Sequence, residues 1–192
     1  MKSEKLKQVS LLGRIAYAIM CAEKVAVEKY PNKDWKIVFE AFWKACNCEA
    51  LDVWSWEVME YIPKYLFEFN DYESADFEYI DKDKYLKLVE IYKGVDDSLN
   101  QILLAIRNIE EEYAYSSIPE YGKISLEYID EILAILEKNN IQPPDPQLIA
   151  FSKFSERDGW GNPFDGTKPS IGQKERHRQS LISLHMEALL YN

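Results

Sequence analysis

The stretch Asp96-Asp97-Ser98-Leu99-Asn100-Gln101-Ile102-Leu103-Leu104-Ala105-Ile106-Arg107-Asn108-Ile109-Glu110-Glu111-Glu112-Tyr113 decides the fold class. Leu99, Ile102, Leu103, Ile106 and Ile109 recur at intervals of three and four. That period stacks side chains on one face of an α-helix. Asp96 and Asp97 fall in the first turn, where backbone N–H groups lack intrahelical partners and the helix dipole favours negative charge. Downstream the pattern repeats. Ser125 is placed to cap a helix through Asn139, with Leu126, Ile129, Ile132, Leu133 and Leu136 on its apolar side. Asn139-Asn140 and the prolines at 143, 144 and 146 stop it.

Upstream, residues 4–29 read as an amphipathic helix capped by Ser3, with Leu6, Val9, Leu12, Ile15, Ile19 and Ala22 inward and Tyr30-Pro31-Asn32 at its end. Asn32 or Asp34 starts a second helix that buries Trp35, Val38, Phe39, Phe42 and Trp43 and ends near Cys46-Asn47-Cys48. Asp52 is an N-cap for a third helix to about Phe69, with Trp54, Val58, Tyr61, Ile62, Tyr65, Leu66 and Phe69 on its apolar face. Pro63 lies inside it and predicts a kink or a split. Asp81 or Asp83 caps a further helix through Ile91-Tyr92, which Gly94 closes. The expected class is mainly α: a multi-helix bundle of about six or seven helices, at least five of them before residue 140.

One domain is expected over 1–192, in three parts: a helical body at 1–140, an irregular Pro/Gly-rich segment at 141–175, and a terminal helix or short strand at 176–192. Loops as long as the middle part are usually functional or disordered. Phe151, Phe154, Trp160 and Phe164 argue for a segment that wraps over the helices. Trp160 and Phe164 have two readings: cover for the edge of the core, or anchors for a partner, since exposed aromatics often dominate binding energy.

The net charge is −10, and it is unevenly spread. Residues 51–140 carry 21 acidic and 8 basic side chains, against 6 and 9 in residues 1–50. Such a field repels nucleic acid and anionic membranes and attracts basic partners; it reads either as a solvated surface that keeps the protein soluble or as a face for a basic protein partner. Three cysteines make a poor disulfide framework and fit a reducing compartment. The charged start Met1-Lys2-Ser3-Glu4-Lys5 does not read as a secretory signal, and no apolar run reaches the length of a membrane span. The expected location is cytoplasmic.

Catalytic candidates are few. His177 and His185 stand eight apart, where helical metal pairs need three or four. Cys46 and Cys48 have no second pair with which to complete a zinc site. Glu57-x-x-Glu60 followed by Glu73-x-x-Asp76 resembles the acidic pattern of all-α, Mg²⁺-dependent nucleotide pyrophosphohydrolases. That chemistry needs both pairs on helical faces turned to one site. Glu110-Glu111-Glu112 and Glu127, Asp130 and Glu131 read as solvated helix faces. No phosphate loop or dinucleotide fingerprint is present. The chain is therefore expected to be non-enzymatic and without cofactor.

Residues 70–83 hold Asp71, Glu73, Asp76, Glu78, Asp81 and Asp83 against Lys82 alone, with Tyr72, Phe77 and Tyr79 interleaved. This reads as a partner-binding surface: acids to steer a basic partner, aromatics for apolar contact. Trp160 and Phe164 complete the candidate set. The run Phe154-Ser155-Glu156-Arg157-Asp158-Gly159-Trp160-Gly161-Asn162-Pro163-Phe164-Asp165-Gly166, after an acidic helical body, resembles small immunity proteins of bacterial polymorphic-toxin and contact-dependent inhibition systems. The resemblance implies a cytoplasmic protein that binds and neutralises one cognate toxin domain, possessing no catalytic group of its own. The competing readings are the Mg²⁺-dependent hydrolase and a helical scaffold or regulatory module.

Overall fold

A computed structural model of the chain describes residues 2–172. The described residues form a mainly α bundle of seven helices joined by turns and short 3₁₀ segments, with no strand among them. The helices are α1 (Leu11–Lys29), α2 (Lys36–Trp43), α3 (Leu51–Met59), α4 (Pro63–Leu66), α5 (Lys82–Tyr92), α6 (Asp97–Glu111) and α7 (Lys123–Lys138). No described helix is long and apolar enough to cross a membrane. The expected terminal element at 176–192, with His177 and His185, lies outside the described residues.

α1 is the axis of the bundle. It packs against α2, α6 and α7, and against the 3₁₀ segments at Lys44–Cys46 and Pro146–Ile149. Leu11 through Glu23 are all buried, which corrects the amphipathic reading of this stretch. Arg14 is the only charged side chain in residues 11–22, so the helix can be enclosed all round. Arg14 lies fully buried with five acceptors around it: the carbonyls of Leu6, Lys7, Tyr121 and Gly122 and the Ser125 hydroxyl. Burial draws its pKa down to about 10, and the carbonyl cage answers that desolvation. Its guanidinium lies over the Phe154 ring at 5.3 Å.

Several helix starts differ from expectation. α1 begins at Leu11, not near residue 4, because Ser10 takes the cap: its Oγ accepts from Gly13 N at 3.0 Å. Ser3, expected as the cap, is buried in the preceding 3₁₀ turn (Lys2–Leu6) and donates through N and Oγ to Asp130, both at 2.9 Å. Asp130 is thus half-buried and bonded, which corrects its reading as part of a solvated face. α3 starts after Ala50, with Asp52 inside its first turn. Pro63 splits the third expected helix in two and takes the first position of α4, where a missing N–H costs nothing. α7 starts after Gly122, whose φ of 65° is left-handed. A Cβ there would sit 2.9 Å from Arg14 Nη1, so the Arg14 cage and the helix start are one design. Ser125, expected at the cap, instead donates to the Gly122 carbonyl at 2.6 Å.

The described part of the expected wrapping segment, residues 141 to 172, bonds to the start of α1 and to the turn after α2. It seals the start of α1, where four N–H groups would otherwise lack acceptors. Ser10 N donates to Ser152 O at 3.0 Å, and Leu12 N donates to Trp160 O at 3.0 Å. Val9 and Lys153 form an isolated antiparallel bridge. Further along, Phe164 N donates to Cys46 O at 2.8 Å. Glu23 of α1, buried, accepts from Trp43 Nε1, Ser170 Oγ and Ile171 N at 2.6–2.9 Å. Its burial raises its pKa despite those donors.

Candidate partner-binding faces

The acidic connection between α4 and α5 has a fixed backbone. Asp71 and Ser74 form a reciprocal capping box around a 3₁₀ turn, Tyr72–Ser74. Glu60, at the end of α3 and 8% exposed, accepts from three successive backbone N–H groups: Glu78 at 2.7 Å, Tyr79 at 2.8 Å and Ile80 at 2.9 Å. Asp81 then caps α5 by accepting from Lys84 N at 2.8 Å. The aromatics lock the rest. Tyr72, Phe77 and Tyr85 have ring centroids 5.6–5.8 Å apart in all three pairings. Tyr72 and Phe77 are therefore half-buried on α5, and Tyr79 is half-buried too.

The six carboxylates of this connection, on Asp71, Glu73, Asp76, Glu78, Asp81 and Asp83, are all exposed. Glu73 pairs with Lys82, which holds its carboxyl below the usual range. Asp76, Glu78 and Asp83 make no ion pair among the described residues. The expected surface is thus a rim of carboxylates on a backbone pinned by Glu60.

The hydrolase pattern is not assembled. Glu60 is spent on the 78–80 backbone, and Glu57 pairs with Lys44 at 2.5 Å. Glu73 lies in the 3₁₀ turn and Asp76 in the irregular stretch after it, both outside any α-helix. Among the described residues no group of three or more His, Cys, Asp or Glu side chains is placed to hold a metal ion. Cys46 is buried and Cys48 half-buried, both as free thiols.

Trp160 and Phe164 are each half-buried and packed against the core, so they cover its edge while keeping part of each ring in solvent. Phe164 meets the exposed Phe151 edge to face, with centroids 5.0 Å apart. Trp160 follows a tight turn in which Arg157 and Asp158 both have positive φ, 44° and 53°. Gly161 is required next. Its φ is 84°, and a Cβ would meet Ser10 Oγ at 2.2 Å. The structure does not bring Trp160 together with the acidic connection. Trp160 lines a separate cleft with Leu12, Asp52, Glu110, Tyr113 and Arg157.

Glu110 is the residue the sequence reading missed. It is 2% exposed, which corrects its placement on a solvated face with Glu111 and Glu112. The signal was present: Glu110 stands seven after Leu103 and four after Ile106, on the stripe those residues define.

No family model, curated protein or solved structure matches this chain.

Proposed function

We propose that the chain is a non-catalytic binding protein that offers an acidic face to a basic protein partner. With its likeness to immunity proteins, the reading becomes specific: it binds and neutralises a cognate toxin domain in the cytoplasm. The observation that carries this is the construction of residues 71–83. A buried carboxylate, Glu60, holds the backbone by three hydrogen bonds, an aromatic trio holds the side, and what faces solvent is carboxylate. A fixed array of like charges steers an oppositely charged partner and sets its register without ordering entropy at the moment of contact. Of the four acids that an Mg²⁺ enzyme would use, Glu57, Glu60 and Glu73 are engaged in other bonds, and Asp76 stands apart from the first pair outside any α-helix.

The test is association with the protein encoded beside this one, where an immunity gene's toxin lies. Association is measured by stopped flow across salt concentrations. Asp76→Asn, Glu78→Gln and Asp83→Asn combined should slow association by about tenfold at low salt and flatten its salt dependence. Dissociation should change less, because it depends on buried contacts. Tight Mg²⁺ binding with nucleotide turnover by the purified chain would overturn the reading.

A further inference from the structure

Glu110 lies near the end of α6, 2% exposed. The Ser55 hydroxyl lies close enough to its carboxylate to favour the charged form, yet Oε1 has no hydrogen-bond partner among the described residues. It is the only such buried side-chain atom in residues 2–172. The one nearby guanidinium on the same helix, that of Arg107, is committed elsewhere. It forks onto Glu111 at 2.5 and 3.3 Å and donates through Nε to Ser55 O at 3.4 Å. Glu110 also lines a cleft of about 620 Å³ between the start of α3, the end of α6 and the turn at Arg157–Trp160.

We propose that this cleft receives one arginine side chain of the partner, with Glu110 as the carboxylate that anchors its guanidinium. A buried carboxylate oxygen without a donor is costly, and folded proteins leave few. A donor that arrives from solvent through the cleft resolves it. The charge on the walls has the right sign: Glu49 and Asp52 join Glu110, with Arg157 the single base. The walls also carry aromatic rings, Tyr113 and Trp160. A guanidinium is weakly hydrated, stacks on aromatic faces and presents a planar fork of donors to a carboxylate. A lysine ammonium is compact and strongly hydrated, and so loses more on entering. The proposal rests on reading the chain as a binder of a basic protein, but it concerns a different face from residues 71–83.

The test uses the full chain and a small probe, so that it does not depend on having the partner. N-acetyl-arginine N-methylamide is titrated into ¹⁵N-labelled protein while the Trp160 indole N–H resonance is followed, assigned through Trp160→Phe. The expected result is a saturable shift with a Kd of order millimolar, weakened about tenfold or more in Glu110→Gln, as for loss of one charge-assisted bond. The matching citrulline compound, neutral and of the same shape, should give no saturable shift. The lysine compound should bind more weakly than the arginine one. No saturable shift in the native chain, an equal response to citrulline, a preference for lysine, or full binding by folded Glu110→Gln would each overturn the assignment. A neighbour-encoded protein that fails to bind would sink the proposed function and leave the probe result standing. Partner binding without any probe response would do the reverse.

Discussion

Glu60 and Glu110 sit at the ends of α3 and α6, and both are withdrawn from water, 8% and 2% exposed. Around Glu60 the chain delivers three N–H donors to one carboxylate. Around Glu110 it brings the Ser55 hydroxyl near but leaves Oε1 without a hydrogen-bond partner among the described residues. The first region is complete as folded. A buried charge becomes a clamp when its lone pairs are filled, and a liability or a receptor when they are not.

The largest effect expected from this contrast is at the clamp. Glu60→Ala leaves three N–H groups of residues 78–80 without their acceptor and frees the acidic connection. Urea denaturation should show a loss of about 3 kcal/mol, the scale of bonds to a charged acceptor. Hydrogen exchange should quicken at Tyr79 and Ile80 before it does elsewhere. A loss below about 1 kcal/mol would mean that the aromatic trio holds the connection without Glu60.

Trp160 tests the wall of the other region. Trp160→Ala removes a half-buried ring from the core edge but keeps the carbonyl that accepts from Leu12 N. The expected loss is roughly 2 kcal/mol, less than for a fully buried tryptophan. An unchanged melting temperature would place the ring entirely at the service of a partner.

These two regions also mark how far the sequence could be read. The 3.6-residue stripes located the bodies of α2, α5, α6 and α7, because burial on one face is what writes that period. Pro63 announced the division between α3 and α4. The ends were less legible where a tertiary contact decided them. Ser10 displaced Ser3 as the cap of α1 only because Ser152 and Trp160 from the distant wrapping segment supply acceptors there. Gly122 displaced Ser125 because Arg14 needed its carbonyl. The acids of residues 71–83 were visible as composition, but their clamp was not, since Glu60 lies 18 to 20 residues away from the N–H groups it holds. Glu110 was hidden by its neighbours: a run of three glutamates reads as surface unless the helical position of each is taken separately.

Glu110→Gln should have a smaller and pH-dependent effect. Burial raises the Glu110 pKa above its ordinary 4.5. The folded state then binds the proton more tightly than the unfolded chain does. Stability from this group is therefore full below about 4.5 and is lost as pH rises through the raised value. Glutamine has no such titration. The variant should match the native chain within about 1 kcal/mol at low pH, and stand level or higher at neutral pH. Melting temperatures taken from pH 4 to pH 8 (about the span over which a raised carboxyl titrates) would read the difference. A native curve that gains stability across that range while the variant stays flat would mean that the folded chain already holds Glu110 as a favoured anion, and the cleft would then have no need of a cation.

The smallest effect belongs to the exposed acids, and there the comparison is sharpest, because carboxylates 16 and 18 residues beyond Glu60 should do almost nothing for the fold. Asp76 and Glu78 are exposed and make no ion pair among the described residues. Glu78 contributes its backbone N–H to the clamp, and that bond survives a side-chain change. Asp76→Asn with Glu78→Gln should leave stability within about 0.5 kcal/mol, the usual range for surface substitutions. Any change should be a gain at low salt, since two charges leave a crowded negative array, and it should fade as salt screens the array over roughly 8 Å at physiological ionic strength. Asp83→Asn is the useful companion. Asp83 sits in the first turn of α5, where its charge meets the helix dipole, so its loss should cost roughly 0.3–1 kcal/mol and oppose the relief of repulsion. Thermal melts of the double and single variants at two salt concentrations separate the two signs. A substantial loss in the double variant would give these carboxylates a structural role like that of Glu60, and would remove them as a surface kept for a partner.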